Sequence, residues 1–598
     1  MSAASLSSFL FTMSDLLRET FIGGILNIVS KGKLCPYPDQ QPGFRAPEHY
    51  YQEWQAAHPD AIDPYGHRPS TSSTTSDATA INPNTGSATA TKRGIAGEKG
   101  PTPDQKTDGR VEEPTQSTDT DTEKGWDPNL VTWYGPDDPE NPRNWSSAKK
   151  AFVTSQLCLL TFSVYIGSSI YTAGIVDLTM QFGVSITAAT LGLTLFVIGY
   201  GVGPMFLSPL SEVPALGRMR IYIITLAIFV CIQVPTALCD NLGALLPLRF
   251  VAGFIGSPCL ATGGASIADI YIPRKRAYAI GIWGISAVCG PVLGPLLGGF
   301  AADAEDWRWT IWILLWLSGG TLAFLIFCLP ETSGANILHK RARRLRKLTG
   351  NENLKTEGEI EQAHMSVKEA ALMTLVRPFI LMLTEPIVFF LNLYIALVYG
   401  LLYLWFEAFP IVYIVDHGFN GGQEGLAFLG IFVGALIGYL FFCIYCYFYL
   451  EKQFEQDGMY IVPEKRLLPA FAGGILLPIS IFWFGWTSSS SIPWIVPTIG
   501  SAFFGMGTFI LFQAVLNYLG DAYPRYGASV LAGNDFFRSG LGAAFPLFAR
   551  AMFNNLGGPG GVAWGSTLVA LLSVVMIPIP WVLWKYGARI RKYSKYAD

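Results

Sequence analysis

Twelve long runs of apolar residues, almost free of charge, dominate this chain. They lie near 149–171, 187–207, 219–238, 244–267, 277–300, 309–329, 383–409, 426–448, 467–486, 493–518, 531–552 and 562–584. A run of about 18 or more apolar residues is long enough to cross a bilayer as a helix. In hydrocarbon a helix satisfies its own backbone hydrogen bonds, so each run is predicted to be helical. The fold class is therefore an all-α membrane protein. Charged residues make up only 14% of the chain, against about 25% in a soluble domain. They collect in the tail and loops, which is what leaves the runs bare. The formal net charge of −3 carries no nucleic-acid footprint. Nine cysteines are scattered, mostly inside the runs, and show no disulfide or zinc framework. Cys443 and Cys446 read as small apolar side chains rather than metal ligands, so no metal is expected.

Residues 1–30 lack a cleavable signal. Leu16, Leu17, Phe21, Ile25 and Ile28 recur at near-helical spacing. They read as an amphipathic helix on the membrane surface or as a weakly ordered tail. Residues 31–125 are expected to form a disordered cytoplasmic tail, 68–125 above all, since that stretch holds too few large apolar side chains to offset ordering entropy. A proline-punctuated lead-in occupies 126–148, including V-T-W-Y-G-P-D-D-P-E-N-P-R-N-W-S. Six runs fill 149–329, a linker spans 330–382, six more runs fill 383–584, and a tail closes 585–598. Two six-span halves joined by a linker is the layout of a transporter with its site near the midplane. Lys and Arg fall on the connections that share a side with both termini: Lys149, Lys150, Arg218, Arg220, Arg274, Lys275, Arg276 and a cluster in 339–347. By the positive-inside rule both termini are expected to be cytoplasmic. The N-W-S sequon at Asn144 then lies inside, unglycosylated. The basic stretch H-K-R-A-R-R-L-R-K-L (339–348) reads as a solvated, headgroup-facing helix or as a regulatory or partner site.

Three stretches carry chemistry. The loop after the second run is S-P-L-S-E-V-P-A-L-G-R-M-R (208–220). Glu212 and Arg218 at helix ends can pair and latch one conformation, and Gly217 permits the tight turn; an ordinary charged loop is the alternative. Arg249 sits within an apolar run, L-R-F-V-A-G-F-I-G-S-P-C (248–259). An ionisable group at membrane depth is a functional-site hypothesis by default, the alternative being a structural arginine on backbone carbonyls. The fifth run reads G-I-S-A-V-C-G-P-V-L-G-P-L-L-G-G (284–299). Gly290, Gly294 and Gly298 fall at i, i+4 and i+8, one smooth face that lets helices approach closely. Pro291 and Pro295 remove backbone donors and can bend the helix, with Gly299 following.

These segments resemble the major facilitator superfamily, and within it the fungal twelve-span drug:proton antiporters. Glu212 stands where the family usually has Asp, Ser208 replaces the leading Gly, and one extra residue precedes Gly217. The resemblance continues through L-F-V-I-G-Y-G-V-G-P (195–204), L-A-T-G-G-A-S-I-A-D (260–269), L-P-E-T (329–332), Y-L-W-F-E-A-F-P-I-V (403–412) and N-Y-L-G-D-A-Y-P-R-Y-G-A-S-V-L-A-G-N-D-F-F-R-S (517–539). With the lead-in these look like the azole- and benomyl-resistance exporters, over about 126–595. The resemblance implies two pseudo-symmetric six-helix halves, a glycine–proline antiporter motif in the fifth span and a proton-coupling role for Arg249. It implies proton-driven export of varied lipophilic molecules, including azole antifungals, from a monomer in the plasma membrane, with no cofactor. A narrow-substrate exporter or facilitator, for polyamines or another metabolite, remains the alternative on the same fold.

Aromatic and small polar residues should line a drug cavity. By depth the candidates are Tyr165, Phe196, Tyr394, Tyr403, Phe432, Gln513 and Asn517, each with a core or lipid-facing alternative. Acids for the coupled proton are few. Asp177 and Glu407 lie toward the outer ends of spans 1 and 7; Asp269 is at the inner end of span 4. Asp535 opens span 11, and Arg538, three residues on, can pair with it on one helix face as a second inner latch. ATP is excluded as fuel by the lack of a G-x-x-x-x-G-K-[ST] loop. A membrane enzyme should show paired carboxylates or a His cluster at a membrane face, and the six His lie mostly in the tail and linker.

Overall fold

The computed structural model describes residues 18–30, 33–41, 44, 46–47, 50, 127, 129–364, 376–456, 461–523, 526–556 and 561–596. Of the tail expected to be disordered over 31–125, residues 33–41 are ordered, with a short helical turn at Pro38–Gln40 held by the Asp39–Arg344 ion pair; 68–125, and residues 1–17 of the N-terminal segment, lie outside the described residues. The chain divides into a large unit (1–45, 131–344 and 355–598) and a small one (46–130 and 345–354). In the small unit Asn351 donates to the Tyr50 carbonyl at 3.3 Å and the Asn129 side chain at 3.0 Å.

The large unit is helical, with no β-strand among the described residues. Helix α1 is Phe21–Val29. The first half holds α2 Ser147–Phe182, α3 Ile186–Glu212, α4 Arg218–Ala237, α5 Leu242–Ile270, α6 Pro273–Ala304 and α7 Trp307–Cys328. The linker holds α8 Gly334–Thr349 and α9 Glu357–His364. A short α10, Arg377–Thr384, leads into the second half. That half holds α11 Pro386–Asp416, α12 Gly421–Gln456, α13 Pro463–Thr487, α14 Ile495–Ala522, α15 Gly527–Asn555 and α16 Gly561–Tyr593. Eleven of these helices are long and apolar enough to cross a membrane. The sequence reading expects twelve such runs. The one that falls short is α15, a 29-residue helix that carries Asp535, Arg538 and Arg550.

Local chemistry sets the ends. Ser146, Ser185 and Asn241 accept from Lys149 N, Ala188 N and Ala244 N at 3.3, 3.2 and 2.8 Å, capping α2, α3 and α5. The seventh span begins later than the apolar run starting at 383. Glu385 is extended (φ −90°, ψ 110°) because it precedes Pro386, so α10 stops there and α11 starts afresh. Pro410, with no N–H to give, marks a shift to π-helical winding over Pro410–Asp416.

The halves meet along two seams, α3 against α15 and α6 against α12. Backbone-close glycines build both. A side chain at Gly201 would run into Ser539, and one at Gly299 into the Gly421 backbone. Gly290, Gly294 and Gly298 all face α2, at Tyr165, Ser169 and Ile170. The smooth face expected of α6 is therefore the one packed on α2, and α6 stays continuous through Pro291 and Pro295.

On the face that carries the linker, the basic stretch differs from a lipid-facing helix. Arg341 is 1% exposed. It binds Asp138 Oδ2 at 2.7 Å and Glu140 Oε2 at 2.8 Å, and its guanidinium lies 4.1 Å from the Tyr134 ring. Arg344 pairs with Asp39 at 2.6 Å over the Tyr37 ring, and Lys149 with Glu19 at 2.6 Å. The lead-in and the N-terminal segment thus neutralise one side of α8, while Arg343 and Lys347 stay exposed. Helix α1 buries Gly23 and Asn27 and exposes Ile28 and Val29. Burial pushes the Asp138 carboxyl up, but the bonds from Arg341 and from the Tyr134 and Glu140 amides outweigh it, leaving it below its usual range. A depressed carboxyl stabilises above its unfolded pKa, so this clamp should weaken as pH falls through and below the ordinary Asp range.

Arg341→Ala leaves buried Asp138 without its counter-charge and Glu140 with Arg344 alone, at 3.5 Å, at a cost of about 3 kcal/mol. Hydrogen exchange over Val131–Trp145 and α8 should rise strongly in purified Arg341→Ala and stay at the wild-type level in Arg343→Ala.

Candidate functional site between the two halves

Four tyrosines from opposite halves share one buried hydrogen-bond network. Tyr165 and Ser168 come from α2, Tyr200 from α3, and Tyr399 and Tyr403 from α11. Tyr200 Oη lies 2.5 Å from Tyr399 Oη and 3.0 Å from Tyr403 Oη. Tyr399 Oη donates to Tyr165 Oη at 3.2 Å, and Tyr403 Oη to Ser168 Oγ at 3.0 Å. The five side chains are all under 5% exposed. Arg538 of α15 completes the cluster: its Nη2 donates to Tyr165 Oη at 3.2 Å and its guanidinium stands 5.2 Å from the Tyr399 ring. Its other partner is Asp535, through Nε at 2.8 Å and a short Nη2 contact. The i,i+3 pairing matches the sequence reading, but the expected latch at the linker face does not. Helix α15 begins at Gly527, so Asp535 lies eight residues in, and Arg538 reaches the nineteenth residue of α2.

Arg249 lies elsewhere, inside the first half and wholly buried. Its Nη2 donates to the Gly167 carbonyl at 2.8 Å and its Nε to the Gly192 carbonyl at 3.2 Å. The guanidinium is sandwiched by Tyr171 at 4.7 Å and Phe196 at 4.4 Å. No carboxylate touches it among the described residues, so the expected acid partner is corrected to two carbonyls and two rings. Phe196 consequently serves as the floor of this arginine, not as a cavity wall.

The acids separate by depth. Glu407 is 7% exposed, hydrogen-bonded to Thr190 of α3 with Arg550 nearby. Glu424 of α12 is its neighbour, and Asp303 lies beyond, accepting from Gly422 N at 3.0 Å. Asp177 sits half-buried near Asp303 and Asp306 at the far face, outside the tyrosine network.

The linker face holds two ionic latches. Arg218 Nε binds Asp269 at 2.6 Å. Its guanidinium does not go to Glu212, the nearer acid in sequence. Gly217 has φ +73°, and a Cβ there would strike Glu331 and Asn336. Glu331 Oε1 accepts from the amides of Arg218, Thr332 and Ser333 at 3.0, 3.1 and 3.0 Å. The second latch joins the halves. Glu451 of α12 takes Arg274 at 3.0 Å, Lys275 at 2.7 Å and the Tyr278 hydroxyl at 2.8 Å, all from α6.

Of the remaining cavity candidates, Tyr394 is buried in the second half against Gly474 of α13. Phe432 is half-buried against the core. Gln513 faces Gly284 at the α6–α14 contact, and Asn517 donates back to the Gln513 carbonyl at 2.7 Å. Only Tyr165 and Tyr403 join the network. Tyr399 was legible: it stands four residues before Tyr403, on the same helix face. Tyr200 and Glu331 lay inside the quoted segments with nothing local to single them out, and Glu451 carried no local signal at all.

Comparison with known proteins follows this geometry. The sequence profile of the Major Facilitator Superfamily matches residues 157–547. Transporter mfs1 of Schizosaccharomyces pombe is 50% identical over 469 residues, 78% of this chain and 88% of that one. Fluconazole resistance protein 1 of Saccharomyces cerevisiae is 43% identical over 488 residues, 81% of this chain and 88% of its own. The xylose transporter XylE from E. coli, in a partially occluded inward-open conformation, superposes with a TM-score of 0.51 at 16% identity, covering 74% of this chain and 98% of that one.

Glu451→Gln keeps the side chain's size and removes the charge that Arg274 and Lys275 share. Spin labels on the linker-face ends of α6 and α12 should then report a longer, broader distance than in the wild type, whereas a label pair at the far-face ends should be unmoved.

Proposed function

Because the chain belongs to the major facilitator superfamily and is a multi-pass membrane protein, we propose that it exports lipophilic small molecules, azole antifungals among them, in exchange for protons. The observation that carries this reading is the buried tyrosine–arginine network joining the halves, in a chain 43% identical to a protein named for fluconazole resistance. Ring faces offer apolar walls to flat drugs, and a few hydroxyls and one guanidinium offer hydrogen bonds, the mixture a drug site uses. Tyr165, Ser168, Tyr200, Tyr399 and Tyr403, with Phe512 of α14 whose ring lies 6.5 Å from that of Tyr399, would receive the drug where the halves part.

Alternating access follows from the two seams. Glycine faces let helices slide at close range, and the Glu451 latch must break for the linker face to open. Arg218–Asp269 would hold α4 and α5 through that motion. Arg249 would keep α2, α3 and α5 in register from within the first half. Glu407 and Asp535, buried acids on α11 and α15, are the groups a coupled proton would use; Asp177 lies outside the network. The excess of Lys and Arg on the linker side supports reading that face and both termini as cytoplasmic. The plasma membrane is the location this reading requires, and a monomer with no cofactor and no chemistry of its own suffices.

Labelled fluconazole accumulation in transporter-deleted yeast tests this. Expression of the chain should lower accumulation several-fold, a protonophore should restore it, and Arg249→Ala at equal surface level should restore most of it through loss of packing. Efflux that survives the protonophore contradicts proton coupling. No efflux of fluconazole, with export of a polyamine instead, moves the narrow-substrate reading to the front.

A further inference from the structure

Arg538 holds two partners at once, one in each half. Asp535 Oδ1 accepts from its Nε and Nη2, and Tyr165 Oη accepts from the same Nη2. Asp535 Oδ2 is buried with no hydrogen-bond partner, although the residue is 5% exposed and lies in the bundle. A carboxylate half-paired in such surroundings can take a proton on its free oxygen. The titratable groups around it are few: Arg538 on its own helix, Tyr165 from α2, Cys259 from α5, and Tyr399 from α11 across the guanidinium.

Resting on the export reading above, we propose that Asp535 is the proton-exchange site and that Arg538 switches between Asp535 and Tyr165 to make proton and drug exclude each other. A proton from the outer water forms an O–H bond on Asp535 and ends its claim on Arg538. The guanidinium keeps its charge and turns wholly to Tyr165, filling the space beside the tyrosine hydroxyls that a drug would occupy. The drug leaves. When the cavity faces the cytoplasm, the O–H bond breaks, the proton passes to water there, and Arg538 returns to the carboxylate. The structure shows Arg538 bridging Asp535 and Tyr165; drawn fully to the carboxylate, it would leave the space beside Tyr165 open to the next molecule. One proton enters per drug exported at this site, and no other co-reactant is needed.

Two readouts on purified full-length protein test this separately from the export reading. Infrared difference spectra between acid and neutral pH, with no drug, should show a protonated-carboxyl band that is lost in Asp535→Asn, shifted in Asp535→Glu, and kept in Glu407→Gln. Fluconazole binding to the wild type should weaken with acid by up to about tenfold per pH unit, as for one competing proton; Asp535→Asn should flatten that slope. Tyr165→Phe should flatten it while keeping the infrared band. A band that persists in Asp535→Asn, or that vanishes in Glu407→Gln, overturns the proposal. So does a wild-type affinity that ignores pH. If the band behaves as expected but the wild type binds no fluconazole, the proton site stands and the azole reading falls. Should Asp535→Asn fail to fold, Asp535→Glu decides: an unshifted band overturns the assignment.

Discussion

A polar group buried in a membrane-embedded bundle has to find its partner within the protein. That constraint explains most of what is specific here. Arg249 spends its donors on the carbonyls of Gly167 and Gly192, on two helices of its own half. Arg538 has no such carbonyls and instead shares itself between a carboxylate on its own helix and a tyrosine from the other half. The first arginine is a fixed pin. The second is a bond that any separation of the halves must stretch. Two arginines within the helical bundle therefore do different work, and their partners decide which.

The seams show why such a bond can matter. Gly201 and Gly299 let the facing helices approach closely, where packing is dense but carries little directional strength. Directional contacts between halves include the tyrosine network, Glu407 with Thr190, Thr194 on the Ala543 carbonyl at 3.0 Å, Tyr439 on the Tyr278 carbonyl at 3.4 Å, the Asp303–Gly422 contact and the Glu451 latch. A molecule that must open alternately on two sides benefits from that division. Slippery faces set the path, and a handful of polar contacts set which end is shut.

What the sequence revealed follows the range of each interaction. The glycine face of α6 was readable because i, i+4 spacing fixes a helix face locally. The Asp535–Arg538 pair was readable for the same reason. Its depth was not, since α15 starts at Gly527, before the apolar run does. Long-range partners failed where a nearer residue competed: Glu212 drew the pairing that Arg218 gives to Asp269, 51 residues away. The basic stretch at 339–348 looked lipid-facing because its acids, Asp39, Asp138 and Glu140, lie 200 to 300 positions upstream. The sequence reading counted α15 among its twelve runs although Asp535, Arg538 and Arg550 lower its apolarity; Asp535 and Arg538 pair with each other on one helix face.

The most direct measurement is gradient-driven transport by the purified chain in sealed liposomes. With the interior made acid, labelled fluconazole should concentrate inside vesicles that carry the protein with its linker face outward, while drug entry releases protons from the lumen. Collapsing the pH difference should return the drug to equilibrium, and empty vesicles should accumulate none. Accumulation that ignores the imposed gradient, or proton movement that ignores the drug, would contradict exchange through the junction between the halves.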